Sequence, residues 1–167
     1  SALAIGENPG HAYNPLFVHG NVGLGKTHLL QAICHTVLRR DPDARVLYMS
    51  CEDFTNSYIQ AIQAHQIDNF RDYHRGADVL VIDDVQFLAN KEKTQDEFFH
   101  TFNALVDQNH QVVVSADKSP SDLEGLEDMG EDGEPTGIKL PYVITVAQSN
   151  QKILSIRRNY RPDERLR

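Results

Sequence analysis

The chain is short of cysteine, of basic residues and of long apolar runs, and each shortage removes a class of function. Cys34 and Cys51 are the only cysteines in 167 residues and show no C-x-x-C spacing. That argues against a disulfide framework or a thiolate zinc site and fits a reducing compartment. Eight histidines are present, but never as H-E-x-x-H or another metal spacing, so they read as structural or surface groups. The formal net charge of −8 excludes a protein that coats nucleic acid through bulk positive charge; any such contact has to come from a local patch. No apolar run approaches membrane-spanning length and no signal peptide is evident, so a membrane partner is not expected and the cytoplasm is the expected location.

What is present begins at Leu16-Phe-Val-His-Gly-Asn-Val-Gly-Leu-Gly-Lys-Thr27. A short apolar strand runs into G-x-x-x-x-G-K-T and then into a helix with Leu29, Leu30, Ile33, Val37 and Leu38 at helical spacing. This is a phosphate-binding P-loop in the expected strand–turn–helix context. Gly20, Gly23 and Gly25 free the backbone to turn its N–H groups, with those of Asn21, Val22, Leu24 and His28, toward phosphate oxygens at a helix N-terminus. Lys26 supplies a mobile point charge for the β- and γ-phosphates, and Thr27 a hydroxyl for the accompanying Mg²⁺. An ordinary glycine-rich turn is the alternative, but such turns rarely carry Lys-Thr at this offset.

A second motif lies at Asp78-Val-Leu-Val-Ile-Asp-Asp84. Continuous apolar residues without alternation predict a strand buried on both faces of a parallel sheet, and its carboxyl end is where such sheets place their chemistry. Asp83 and Asp84 therefore read as a Walker B pair, Asp83 holding Mg²⁺ through water and Asp84 orienting or deprotonating the attacking water. Two aspartates capping the next helix is the competing reading. Further strands are predicted at 45–50, 111–116 and 142–147, and helices at 26–40, from 50 or 51 onward, 67–74 and 94–107. Phe98, Phe99 and Phe102 read as core. The order implies a doubly wound α/β sheet. Residues 129–141 read as an acidic, glycine-rich loop, and Ser149 to Tyr160 as a basic helix following the last strand.

These residues also resemble one family. N-P-L-F at Asn14 to Phe17, G-x-V-G-L-G-K-T-H at Gly20 to His28, I-D-D-V-Q-F-L at Ile82 to Leu88, and K-E-K-T-Q-D-E-F-F-H-T-F-N-A-L at Lys91 to Leu105 are similar to the AAA+ ATPase domain of the DnaA family of bacterial replication initiators. The P-loop alone names a superfamily; the run after Walker B is far more specific. The resemblance extends from about residue 4 to residue 128. It implies a five-stranded parallel sheet of order 5-1-4-3-2 with helices on both faces, and a nucleotide-binding core over 1–128 carrying an initiator-type helical insertion at about 52–75. It implies an ATP/ADP switch that self-associates into a filament in the full-length protein and helps open origin DNA. Carried over position by position, Ile59, Lys91, Lys93 and Thr94 would contact single-stranded DNA, and Asp117 would sense the γ-phosphate. A turn-forming aspartate before Lys118-Ser119-Pro120 is the other reading of Asp117.

The pattern changes after Asp128. The family's R-L-x-S-R-F-like segment, whose arginine reaches a neighbour's ATP, does not follow, and no arginine occurs between Arg75 and Arg157. Residues 142–167 offer a last strand and a basic helix or tail, with no room expected for the helical lid. Binding is accordingly a stronger expectation than hydrolysis. A non-hydrolysing interaction module of the same fold and a helicase-loader-type ATPase are the alternatives; the F-F-H-T-F-N-A-L run argues against the loader.

Overall fold

Alternate residues along each central strand divide the core in two. In the computed structural model the described residues are 2–11, 13–119, 122–123, 142–146 and 153–158, with side chains at 2, 3, 6, 142–146 and 153–158 excepted. The strands β1 (Leu16–His19), β2 (Val46–Ser50), β3 (Val79–Asp83) and β4 (Gln111–Ala116) lie side by side, and every residue of β3 and β4 is buried. Leu80, Ile82, Val112 and Val114 pack with Phe54, Phe70, Phe98 and Phe102, which come from α3 (Cys51–Gln63), α4 (Ile67–Arg75) and α5 (Glu92–Asp107). Val79, Val81 and Val113 join Leu30, Ile33 and Val37 of α2 (Lys26–Arg40) and Ile5 of α1 (Ala2–Glu7). An unbroken apolar strand is what two covered faces require. Full burial of a side chain such as Phe54 contributes about 2 kcal/mol, so the phenylalanines of α5 act as core, as expected.

The sheet order is β2-β3-β4-β1-β5-β6, where β5 is Tyr142–Val146 and β6 is Ile153–Arg158. All neighbours are parallel except β5 and β6. The four-strand portion β2-β3-β4-β1 follows the expected order, but the sheet is not five-stranded. The basic helix expected over Ser149 to Tyr160 is replaced by β6, antiparallel to β5. Ile153, Leu154 and Ile156 fit either period, because a short apolar run does not distinguish helix from strand by spacing alone. Pairing with β5 decides it, by satisfying backbone groups that an open sheet edge would leave unpaired. The acidic loop expected at 129–141 lies outside the described residues.

Local chemistry sets the helix boundaries. Ser50 is both the last residue of β2 and the N-cap of α3, its Oγ accepting the Asp53 N–H at 3.0 Å, so strand passes to helix without a loop. Glu52 and Asp53 stand in the first turn, where carboxylates suit the helix dipole. Arg39 and Arg40 end α2 in the complementary way. The α5 helix starts at Glu92, two residues before the expected Thr94. A 3-10 turn, Val85–Leu88, which the sequence reading did not foresee, links β3 to α5.

Cys34 and Cys51 are free and buried, and burial pushes their thiols up to about 11 and about 12. Neither is a nucleophile near neutral pH. Among the described residues no helix is long and apolar enough to cross a membrane.

Candidate nucleotide site

The P-loop leaves the sheet at the carboxyl end of β1, where the Gly20 N–H donates to Ala116 O at 3.3 Å. Gly23 and Gly25 then take φ values of 83° and 86°, the left-handed region that side chains resist. A Cβ added to either would meet nothing within 4 Å, so the dihedral rather than crowding calls for glycine. Gly20, expected to share this role, is not among the left-handed glycines; it is buried at the strand exit. Asn21, Val22, Thr27 and His28 are exposed and Leu24 half-buried around the loop, with Val22 at the tip 86% exposed. Lys26 folds inward, its Nζ donating to Gly20 O at 2.5 Å and Asn21 O at 2.9 Å.

Opposite the loop, at the end of β3, Asp83 is 5% exposed. Its Oδ2 accepts the Thr27 hydroxyl at 2.7 Å and the Tyr48 hydroxyl at 2.9 Å, and its Oδ1 accepts the Ser115 hydroxyl. Ser115 Oγ in turn accepts the Asp84 N–H at 2.9 Å. Three hydroxyls from three elements thus fix one buried carboxylate, and among the described residues no ion pair includes it. A carboxylate and a hydroxyl in direct contact, both oxygen donors beside a phosphate-binding turn, fit Mg²⁺. Asp84 is separated from its neighbour by a left-handed turn, φ 61°, and its Oδ1 accepts from Gln86 Nε2 at 3.1 Å. The two aspartates therefore sit in different hydrogen-bond environments.

Asp117 follows the Ala116 carbonyl that receives Gly20, so it stands beside the start of the P-loop, and its Oδ1 is buried without a partner. A buried, unsatisfied carboxylate oxygen is costly unless another group comes to it. His19, before Gly20, has its pKa lowered by burial; Asp122 opposes the shift and Lys26 adds to it. Tyr48 and Ser115 were not singled out in the sequence. Burial, and then the Asp83 carboxylate, raise the Tyr48 phenol above the ordinary tyrosine range, so it remains a donor at any physiological pH.

The sequence profile of the bacterial DnaA ATPase domain matches residues 1–133. This chain belongs to that family. Among solved structures, domain III of the Thermotoga maritima replication initiation protein DnaA is 45% identical with a TM-score of 0.74, over 76% of this chain and 53% of that one. AMPPCP-bound DnaA from Aquifex aeolicus is 37% identical with a TM-score of 0.78, over 90% of this chain and 45% of that one. A replication initiator DnaA bound to AMPPCP and single-stranded DNA is 42% identical with a TM-score of 0.73, over 76% and 39%. The chain thus spans about half, or less, of the length of these relatives.

Within this DnaA ATPase fold, the residues expected at single-stranded DNA are not equally presented. Ile59 on α3 is 44% exposed, and Lys91 and Lys93 are exposed at the start of α5. No side chain caps that helix start. Thr94, at 7% exposed, is the least presented of the four. The helix α4 is tied to α5 by Glu97, which is 3% exposed. Glu97 takes Arg71 in a forked pair, at 2.9 to 3.2 Å, and Arg75 at 3.3 Å.

Proposed function

We propose that this chain is the ATP-binding and ATP-hydrolysing core of a replication initiator, a nucleotide-dependent switch for self-assembly and for opening origin DNA through single-strand contacts. The observation that carries the nucleotide part is the 2.7 Å contact between Thr27 of the P-loop and Asp83 of Walker B, with the Lys26 Nζ held on the Gly20 and Asn21 carbonyls of the same loop. The family membership and the AMPPCP-bound relatives support it.

Residues 20–28 cradle the phosphates through the N–H groups that Gly23 and Gly25 turn outward, and Val22 and Asn21 shape the exposed side of the loop. Lys26 exchanges its two carbonyl partners for β- and γ-phosphate oxygens, which as anions make stronger partners. Thr27 and Asp83 would hold Mg²⁺, which when bound neutralises developing phosphate charge. Asp84 orients the attacking water, and Asp117, an acceptor only, reaches the γ-phosphate side through a water that donates to its unpaired oxygen. Ile59, Lys91 and Lys93 form the single-strand surface: lysines for phosphates, an uncapped helix start beside them, and an apolar side chain for sugars. Residues 1–128 are the nucleotide-binding unit in this reading, with the helices of residues 52–75 as the initiator-type insertion.

Equilibrium titration of Mg·ATP against the wild type and Lys26→Ala is the test. Loss of detectable binding in the variant, with an unchanged far-UV spectrum, is expected. Equal affinity would remove the P-loop assignment, and with it the switch.

A further inference from the structure

We infer that Tyr48 is a positioning residue for the cation-holding carboxylate, a role that no motif gives it and that rests on the nucleotide reading above. Tyr48 lies on β2, outside both the P-loop and Walker B, yet its hydroxyl reaches Asp83 Oδ2 at 2.9 Å. That oxygen has two donors, Tyr48 and Thr27, while Oδ1 has Ser115. The two oxygens differ in what each donor is free to do. Ser115 is buried and also holds the Asp84 N–H, so Oδ1 is fixed from the β4 side. Thr27 is exposed at the loop and is itself a cation ligand in the nucleotide reading, so its hydroxyl has to serve two partners.

Tyr48 is the remaining anchor of Oδ2 and, among the described residues, the donor on that oxygen without a second duty. Its phenol sits on a strand held in register with β3, Tyr48 opposite Val81 and Ser50 opposite Asp83, so the donor's position is set by the sheet and not by a loop. With both oxygens pinned, the carboxylate plane is fixed before the cation arrives, which is how supporting hydrogen bonds raise metal affinity. Tyr48 is 38% exposed and its contact with Asp83 only part-buried, so loss of the hydroxyl opens no enclosed cavity.

The test is Tyr48→Phe, which keeps the ring and deletes one oxygen. Fluorescent ATP analogue affinity is measured across a Mg²⁺ titration and separately in EDTA. The variant is expected to need about fivefold more Mg²⁺ for half its full affinity gain, the equivalent of one ordinary hydrogen bond, with its EDTA affinity unchanged. An unchanged Mg²⁺ midpoint overturns the role of Tyr48, as does an equal loss of affinity in EDTA, which would mark a structural effect. A wild type whose affinity ignores Mg²⁺ altogether overturns the Thr27–Asp83 cation site first and this inference with it. Ser115→Ala, acting on the other oxygen, is expected to shift the Mg²⁺ midpoint in the same direction; a shift in the opposite direction also overturns the anchoring account.

Discussion

Glu97 offers a test of which partner in a buried ion cluster bears the cost of burial. Its carboxylate is 3% exposed, whereas Arg71 and Arg75 keep 41% and 34% of their side-chain surface in water. Glu97→Gln removes the buried charge and leaves two guanidinium groups that are each partly in water, Arg75 with its Nε still buried, so the loss is mainly weaker hydrogen bonding, about 1 kcal/mol. Replacing both arginines by methionine keeps their apolar stems but leaves a buried carboxylate without a cation, a defect that costs about 3 kcal/mol. For a domain of this size the two variants should melt roughly 3 °C and roughly 10 °C below the wild type in a calorimetric or circular-dichroism scan. The decisive variant is the triple one. Adding Glu97→Gln to the double methionine variant removes the stranded charge, so it should restore part of the lost melting temperature. A triple variant no more stable than the double, or a Glu97→Gln variant as unstable as the double, would refute the reasoning.

Two further outcomes follow from the same structure. His74 is 3% exposed and its Nδ1–H donates to Phe70 O at 2.7 Å. Burial, and then Arg45, push its pKa below 6.5, against the backbone hydrogen bond and Glu97. The unfolded chain therefore binds the proton more readily, and the stability present above about pH 6.5 falls as pH drops toward the lower folded value, by no more than about 1.4 kcal/mol per pH unit for one proton. Urea denaturation at several pH values should show a shallower acid loss for His74→Leu than for the wild type; parallel curves would contradict this. For single-stranded DNA, Lys91→Ala with Lys93→Ala should weaken binding and flatten the plot of log affinity against log salt by about 1.4, the value for two phosphate contacts. An unchanged slope would take these lysines out of the interface.

The parts of the site that were legible in the sequence are those whose chemistry is local in the chain. Gly23 and Gly25 are required by backbone dihedrals inside one turn, and Lys26 and Thr27 follow at once. Asp83 was legible because an unbroken apolar strand ends on it. Tyr48 and Ser115 were not, because they lie 35 and 32 residues from Asp83, and a tyrosine or serine in a strand looks like any strand residue. The burial of Thr94 also had a signal in the sequence. Thr94, Phe98, Thr101 and Leu105 recur at helical spacing and all are buried, so Thr94 belongs to the apolar stripe of α5. In the fold, the expected helix over 149–160 failed because strand pairing with β5 is a long-range fact about a sheet edge, while the spacing of Ile153, Leu154 and Ile156 is compatible with both periods.

The loop-free passage from β2 to α3 through Ser50 fixes an angle as well as a position. Each residue of an α-helix turns the chain by about 100° and advances it by about 1.5 Å. With β2 locked in register beside β3 and no slack at Ser50, the azimuth of every α3 side chain is set by the sheet. One residue inserted between Ser50 and Phe54 would swing Ile59 about a quarter-turn and carry Phe54 out of the core together with it. The outward face of α3 is therefore phased to the strand that carries Tyr48, and it cannot be re-aimed without unpacking the inner one.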